Sequence, residues 1–415
     1  MLGASLHVQK EYRFRLRNNG RADRQGFDVH TLGVISQFTT PLKGGDWGDL
    51  TYGLEYYRDF VNSFRKDFNA DSSLRAVKIQ GPIGDESTYD LLGIYLQYEM
   101  ELLPKRIVVI VGGRYTYAKA KAGKVEDPQT GNRISVSKTF DSIIGQGRIL
   151  YYWIPEKLNT YFAVAQAFRA PNLSDLTRLD TARTNEIETP SPNLKPEKFL
   201  TLEVGTKWMT SSLSLQIAYY YTFINDMIIR FPTGRVIGGN NEVQKANVGD
   251  GYVHGIELSG SYIFSKGGPL WKAFPKELGQ WEIFGAFGWL EGIADTYPTS
   301  AQIEVKEPLS RLLPATAVLG LRWKSLDGRF WMEGVIKMAR KQSRLSTRDK
   351  NDTQRIPPGG TPGYAIFSLR GGMKLLKNLN ITLGVENIGN KDYRVHGSGL
   401  NESGTNAFFQ IELEY

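Results

Sequence analysis

The 415 residues include 51 Lys+Arg against 43 Asp+Glu, a net charge of +8, with 44 Gly, 21 Tyr, 20 Phe, 8 Trp and no Cys. The lack of cysteine excludes disulfide scaffolds, thiolate metal sites and thiol nucleophiles. A mean hydropathy of −0.33, with no apolar stretch near 18 residues, excludes a transmembrane helix; 12% aromatic and 41% hydrophobic residues exclude a disordered chain.

Periodicity then sets the elements. Alternating apolar and polar residues predict strands at 6–17, 28–38, 51–58, 92–101, 107–117, 143–153, 158–168, 200–208, 213–223, 256–264, 281–289, 317–323, 330–339, 365–373, 381–387 and 408–415, about 16 in all. In 213–223, Leu213, Leu215, Ile217, Tyr219, Tyr221 and Phe223 share one face; Ser214, Gln216, Ala218, Tyr220 and Thr222 share the other. That two-residue period is the pleat of a strand. Connections alternate in length along the chain. Short ones lie at 102–105, 154–157, 210–212, 324–329 and 374–379. Long polar ones lie at 60–89, 118–140, 169–198, 231–247, 292–314, 340–363 and 389–407, and only 265–280 breaks the order. Tight turns at one end and long loops at the other are the layout of a transmembrane β-barrel.

The strand faces agree with that layout. One is Leu, Ile, Val, Phe, Tyr and Trp, fit for lipid. The other carries Arg13, Arg15, Glu99, Arg114, Arg148, Glu203, Glu257, Glu333, Arg370 and Glu386. Mixed charge on one face needs water or polar protein beside it, because isolated buried charge is too costly. Trp153, Trp208, Trp281, Trp289 and Trp323 sit near strand ends, where interfacial aromatic girdles belong. The expected fold is an all-β, antiparallel transmembrane barrel occupying 1–415 as one domain.

Four segments carry a family resemblance. Residues 161–176 (YFAVAQAFRAPNLSDL) and 191–198 (SPNLKPEK) resemble the strand-and-loop boxes of TonB-dependent outer-membrane receptors. Ala246–Asn247–Val248–Gly249 leading to Gly255–Ile256–Glu257–Leu258, and Val385–Glu386–Asn387–Ile388 running on to Tyr393–Arg394, are similar to two further family motifs in the family's order. The C-terminal alternation ending on Tyr415 resembles the assembly signal of outer-membrane barrels. The matches run from about residue 160 to the C-terminus; earlier residues fit as generic barrel strands. The resemblance implies a 22-stranded barrel filled by an N-terminal plug. Ligand would bind at the outer mouth, and the plug would couple to the inner-membrane TonB machinery. About 16 strands fall short of that number. Residues 1–10 lack the basic start and apolar core of a secretion signal, and no plug-like segment precedes the strands. The expectation is therefore the C-terminal part of a receptor for energised uptake of an iron complex, siderophore or haem. TonB would engage it only if a plug is supplied. The alternative is a passive 16-stranded channel, since barrels of that size leave an aqueous pore.

Candidate ligand-binding residues follow from the mouth. The four histidines are His7, His30, His254 and His396. Residues 171–192, where haem receptors of the family often place a ligand, contain none. His396 in the last long loop offers an imidazole for haem iron, or else a loop histidine hydrogen-bonded among turn residues. Arg340, Lys341, Arg344, Arg348, Lys350 and Arg355 face only Asp349 and Asp352 in their loop. Such a positive rim steers anionic ligands or attracts lipopolysaccharide phosphates. Phe168, Tyr252 and Tyr393 near the mouth offer rings for stacking, and Arg169 stands in the first box. No G-x-S-x-G, H-E-x-x-H, phosphate loop or dinucleotide fingerprint is present, so no enzyme activity, catalytic residue, resident cofactor or metal site is expected. Basic residues are spread rather than gathered in a patch, which argues against nucleic acid. The expected partners are outer-membrane lipid and lipopolysaccharide in a Gram-negative-type bacterium, with the chain acting as a monomer.

Overall fold

The computed structural model describes residues 1–181, 185–264 and 279–414. The anomalous connection 265–280 lies almost wholly outside them, as does Tyr415. Among the described residues there are twenty strands: β1 (Leu2–Leu16), β2 (Ala22–Pro41), β3 (Asp49–Phe68), β4 (Leu74–Val77), β5 (Asp85–Leu103), β6 (Ile107–Glu126), β7 (Arg133–Ile154), β8 (Leu158–Arg169), β9 (Asp180–Thr181), β10 (Glu186–Thr189), β11 (Glu197–Met209), β12 (Leu213–Ile237), β13 (Asn240–Phe264), β14 (Gln280–Thr296), β15 (Val305–Pro308), β16 (Thr316–Lys324), β17 (Phe330–Ala339), β18 (Tyr364–Leu376), β19 (Leu379–Glu386) and β20 (Asn406–Leu413). Two single-turn helices, α1 (Leu173–Thr177) and α2 (Thr347–Asn351), sit in loops.

Strands β4, β9, β10 and β15 are short pieces within the long connections. The other sixteen correspond to the sixteen alternating segments of the sequence. Each pairs antiparallel with its neighbours in chain order, as a meander. Among the described residues no ladder joins β1 to β20, and β1 is exposed along nearly its whole length on both faces. A closed sixteen-strand channel needs that ladder, so the passive-channel alternative lacks its seam.

Several strands are far longer than their apolar alternation. Strands β12 and β13 have 25 residues each, about 80 Å at ~3.3 Å per residue, whereas about 9–11 residues cross a bilayer. The expected loops 118–140 and 231–247 are therefore mostly hairpin: β6 runs to Glu126, β7 restarts at Arg133, and β12 and β13 meet at 238–239. The physical reason is simple. Above the lipid both faces of a ribbon are wet, so the period-2 apolar signal disappears while the hydrogen-bond ladder continues.

The apolar faces point outward. Leu96, Val111, Phe162, Val204, Ile217, Leu258, Phe287, Leu319, Ile336, Leu369 and Leu383 are all exposed, and among the described residues no second sheet covers them. Below this band lie Trp208, Trp281 and Trp323 with Trp153; above it Tyr219, Tyr221, Tyr252, His254 and Trp289 form a ring cluster, Tyr221 stacking on Tyr252 at 5.3 Å and His254 meeting Trp289 edge-on at 5.3 Å. From Trp281 to Trp289 is about 26 Å along β14, or roughly 20 Å of depth at a tilt near 40°, close to the apolar band of such barrels.

The inner face is held by charge. Glu282, Arg322, Glu333 and Arg370 are directly opposed on β14, β16, β17 and β18 and join in sequence through ion pairs of 3.3, 2.5 and 2.6 Å. On β5, Gly93 leaves room for the Arg114 side chain, since a Cβ there would lie 2.0 Å from the guanidinium. Arg114 thereby reaches Glu55 at 2.9 Å.

Candidate functional site

The connection from β8 to β11 folds inward at the mouth. Its two ends are tied by Arg169, which donates to Asp175 at 2.6 Å and to Glu197 at 2.5 Å. Burial opposes the guanidinium charge, but the hydrogen bonds to Glu197 and Asp175 prevail and hold its pKa above the ordinary value. Asp175 also completes a capping box with Asn172, each side chain accepting from the other's backbone N–H, which is how so short a helix is fixed. Leu173 and Leu176 of α1 then pack with Ile83 on Ala118, Ala120, Ala122 and Val125. The inward positions of β6 beside α1, at 118, 120 and 122, are alanines, so the wall has space for the helix.

Past α1 the loop is pinned by buried acids that meet wall cations. Asp180 takes Arg13 at 2.7 Å, with Arg15 and Arg178 at 3.6 and 3.7 Å. Glu188, fully buried, takes Arg230 at 2.8 Å and Arg178 at 3.6 Å. Strand β10 adds parallel to the upper end of β13. Thr189 there donates to Glu242 at 2.8 Å, whose carboxyl also accepts from Thr233 and Arg235. Burial works against that carboxylate, but these bonds lower its pKa below the usual range. Nearby, burial pushes the Lys245 ammonium below its ordinary pKa despite Glu188 and Asp175.

The motif asparagines turn out to be clasps. Asn247 accepts from the Lys195 backbone N–H at 2.8 Å and donates to the Lys195 and Asp226 carbonyls at 2.9 and 2.8 Å. Asn387, buried and at φ +48°, accepts from the Lys391 N–H at 2.9 Å and donates to the Lys391 and Ser403 carbonyls. Both side chains satisfy loop backbone that has no ladder of its own.

Between α1 and the inner faces of β1–β3 lies a cavity of about 530 Å³, lined by Arg13, Phe27, Asp59, Tyr89, Asn172, Ser174, Arg178 and Asp180 among others. Burial pushes the Tyr89 phenol up to about 12, so it remains a neutral donor. This volume suits a small-molecule complex, and the lining offers both signs of charge with an aromatic wall. In the sequence Arg13 reads as a lumen charge, Asn172 and Ser174 belong to the 161–176 box and Asp180 is one of the acids of its loop, but Phe27, Asp59, Tyr89 and Arg178 come from four separate segments with no shared motif.

The seven residues expected to bind ligand do not form one site. Phe168 shares the outward side of β8 with Phe162, and Tyr252 belongs to the outward ring cluster, so strand parity places both on the wall rather than on the lumen. Arg169 is committed to its two carboxylates. Arg340 and Arg344 line a cavity of about 220 Å³ beside Trp289 on the outer wall, and Arg344 is ion-paired to Glu291. Tyr393 packs its ring 4.5 Å from that of Tyr364 and borders a third, lumenal cavity of about 270 Å³ with Lys337, Arg370 and Glu386. His396 is buried, and its Nδ1 shares a 2.9 Å hydrogen bond with the Thr361 hydroxyl. Desolvation lowers its pKa, although Asp349 acts the other way and Arg311 reinforces the shift. Among the described residues no group of three His, Asp or Glu side chains is arranged to hold a metal ion.

Residues 4–388 match the family described as TonB dependent receptor-like, beta-barrel. No curated protein sequence matches. Among solved structures, the copper transporter OprC is similar at 16% identity and a TM-score of 0.73, over 99% of this chain and 61% of that one. The ferric yersiniabactin uptake receptor FyuA from Yersinia pestis gives 16% and 0.64, over 99% and 56%. The Serratia marcescens hemophore receptor HasR, solved with its hemophore HasA and heme, gives 14% and 0.70, over 100% and 62%. This chain thus spans about three-fifths of the length of these receptors. The inward box loop, the charged inner face, the outward apolar band and this match agree: the chain belongs to the β-barrel family of TonB-dependent receptors.

Proposed function

We propose that the protein is the barrel of an outer-membrane receptor that takes up an iron complex, binding it at the mouth against the β8–β11 loop. The observation that carries this reading is the 530 Å³ cavity between α1 and β1–β3, walled by Phe27 and Tyr89 and edged by Arg13 and Arg178. An iron complex bound there meets aromatic faces for its organic shell and guanidiniums for its anionic oxygens. The barrel itself performs no chemistry. Energy enters through a plug coupled to the inner-membrane TonB machinery, and one copy of the barrel suffices as the working unit.

The test is a tryptophan-fluorescence titration of the refolded chain with ferric citrate, a ferric catecholate and haemin, beside an Arg13→Ala/Arg178→Ala variant. Saturable binding of one of the three, weakened about tenfold or more in the variant, is the expected result. Equal affinity of variant and parent for every probe would remove the cavity from the binding site. In a receptor-deleted strain, the barrel without a plug is expected to give no energised iron uptake.

A further inference from the structure

Strand β7 rises past its partner on one side. Its ladder with β6 reaches Arg133, but its ladder with β8 stops at Gln146 and Ala165, because β8 ends at Arg169 and the chain turns inward. The upper half of β7 is therefore an edge in the middle of the sheet. Ser137, Thr139, Asp141 and Ile143 aim their N–H and C=O groups away from β6, toward the side on which the Gly145 N–H is taken by Gln166 Oε1 at 3.1 Å. Among the described residues none of these groups has a strand or loop partner. Their side chains are exposed on the outward face, while Val136 and Phe140 on the other face are buried in the cluster under α1. Ile143 stands ten residues above Trp153 of the lower aromatic level, about 33 Å along the strand. That is about 25 Å of depth at a tilt near 40°, the height of the apolar band. Residues 137–141 are thus in water.

The far bank of the gap is β12, beyond β8 and β11. At ~4.8 Å per strand about 14 Å separates β7 from β12, room for two strands. The edge of β12 is blunted: its register shifts between Ile224 and Met227, the Ile228 N–H is taken by Glu197 at 2.6 Å, and Pro232 has no N–H. Between 137 and 143, β7 has no bulge and no proline. An unblunted edge is a template for another strand.

We infer that the free edge of β7 is a strand-addition site for an extended, acidic segment of a partner protein outside the cell. The inference goes beyond the iron-complex reading, and takes from the outer-membrane placement only the side from which the partner comes. Main-chain hydrogen bonds to residues 137–143 supply the affinity. Charge sets the partner. Lys119 and Lys121 lie beside Thr139 and Ser137 on the outward face and form no ion pair among the described residues. Asp90, beyond Lys119, is taken by Arg58 at 3.6 Å. Ser137 and Thr139 are short, so both lysines reach across them toward an added strand about 10 Å away, two strand spacings. Glutamates on its outward face meet them there. A second copy of this chain would set the same lysines against each other.

The experiment uses the full chain refolded in zwitterionic micelles, with a short fluorescent peptide alternating glutamate with valine as probe. Comparison peptides carry lysine for glutamate, or N-methyl groups on alternate amides, which block the ladder. Binding is read by anisotropy, and the site by hydrogen exchange. The acidic peptide is expected to bind one per chain and to slow exchange across 137–143. Thr139→Pro removes an N–H that the fold leaves free, a place where proline is tolerated. It should weaken binding about tenfold, as loss of one ladder bond does, with an unchanged unfolding midpoint. Lys119→Ala/Lys121→Ala should weaken the acidic peptide and not a glutamine version of it. Equal binding of the N-methylated peptide would overturn strand addition, and equal binding of the lysine peptide would overturn the acidic partner. Full affinity in a folded Thr139→Pro variant would move the site elsewhere; if that variant fails to fold, the N-methylated peptide decides. Protection of 137–143 that rises with protein concentration in the absence of peptide would make a second copy the occupant and overturn the proposal.

Discussion

Glu333→Gln is expected to destabilise the wall by about 3 kcal/mol. The Glu333 carboxylate is buried, and each of its oxygens is gripped by one arginine. Oε2 accepts from Arg322 Nε at 2.7 Å with Nη2 at 2.5 Å; Oε1 accepts from Arg370 Nε at 2.7 Å with Nη2 at 2.6 Å. The amide keeps the volume but turns an N–H₂ toward guanidinium donors and leaves two cations facing each other. Breaking a buried pair from one side costs about 3–5 kcal/mol. Arg322 and Arg370 retain 35% and 46% side-chain exposure, so returning water places the loss at the low end. Glu282→Gln is the internal control. It sits at the end of the same ladder, more exposed, with one contact at 3.3 Å, and should lose only about 0–1 kcal/mol. Reversible urea unfolding in micelles, followed by tryptophan fluorescence, reads the difference as a midpoint drop of about 1 M if the slope is about 3 kcal/mol/M. Replacing the group together, as Arg322→Met, Glu333→Leu and Arg370→Met, should recover most of the loss, since hydrophobic replacement of a buried pair is often neutral. If Glu333→Gln moves the midpoint no further than Glu282→Gln, the ladder carries no stability. A triple variant as damaged as the single one would mean that packing, not stranded charge, is responsible.

Arg169→Ala should free both ends of the β8–β11 loop, and limited proteolysis should cut between 170 and 196 at least tenfold faster than in the parent with the wall strands intact; unchanged cleavage would show that α1 is held by its apolar contacts alone. Because His396 is neutral in the fold and its pKa lies below the ordinary 6.5, the unfolded loop binds the proton more readily. The stabilising effect is therefore complete above about 6.5 and declines as the pH falls toward the folded value. Hydrogen-exchange protection in 387–405, taken relative to the intrinsic amide rate at each pH, should fall on acidification from 7.5 to 5.5, and His396→Asn should abolish that loss; a loss of protection surviving in the variant assigns it elsewhere. The chain has no native Cys, so Val8→Cys/Ile411→Cys reports directly on the edges of the sheet. No intramolecular maleimide cross-link is expected, whereas an efficient one would join β1 to β20 and restore the passive channel.

Where the sequence was legible, one physical condition held along the segment: lipid on one side of the ribbon and water on the other. Residues 213–223 meet it, and their alternation identifies a strand and its outward face together. The same condition explains the errors. Ala118–Lys119–Ala120–Lys121–Ala122 is strand, but with water outside and α1 inside it alternates small with charged residues and reads as loop. Tyr252 and Phe168 were placed at the mouth because proximity to a long loop is visible in a sequence, whereas parity near a strand's end depends on where the ladder starts. The interior cavity was invisible for another reason. Arg13, Asp59, Tyr89 and Arg178 stand as far as 165 positions apart, and only the curl of the sheet brings them together.

The box loop shows why motif and ligand contact need not coincide. Arg169, Asn172 and Asp175 are spent on fastening α1, and Asn247 and Asn387 on loop backbone. Residues so committed have little freedom to vary with the ligand. A family that transports different complexes through one scaffold needs such fixed fasteners, with variation confined to positions that face the cavity they frame. On this reasoning Phe27, Asp59, Tyr89 and Arg178 govern ligand choice, and substituting them should alter which complex binds. Substituting Asn247 should instead weaken all complexes alike by loosening the loop. A ligand-specific effect of Asn247→Ala, measured across the three iron probes, would contradict that division.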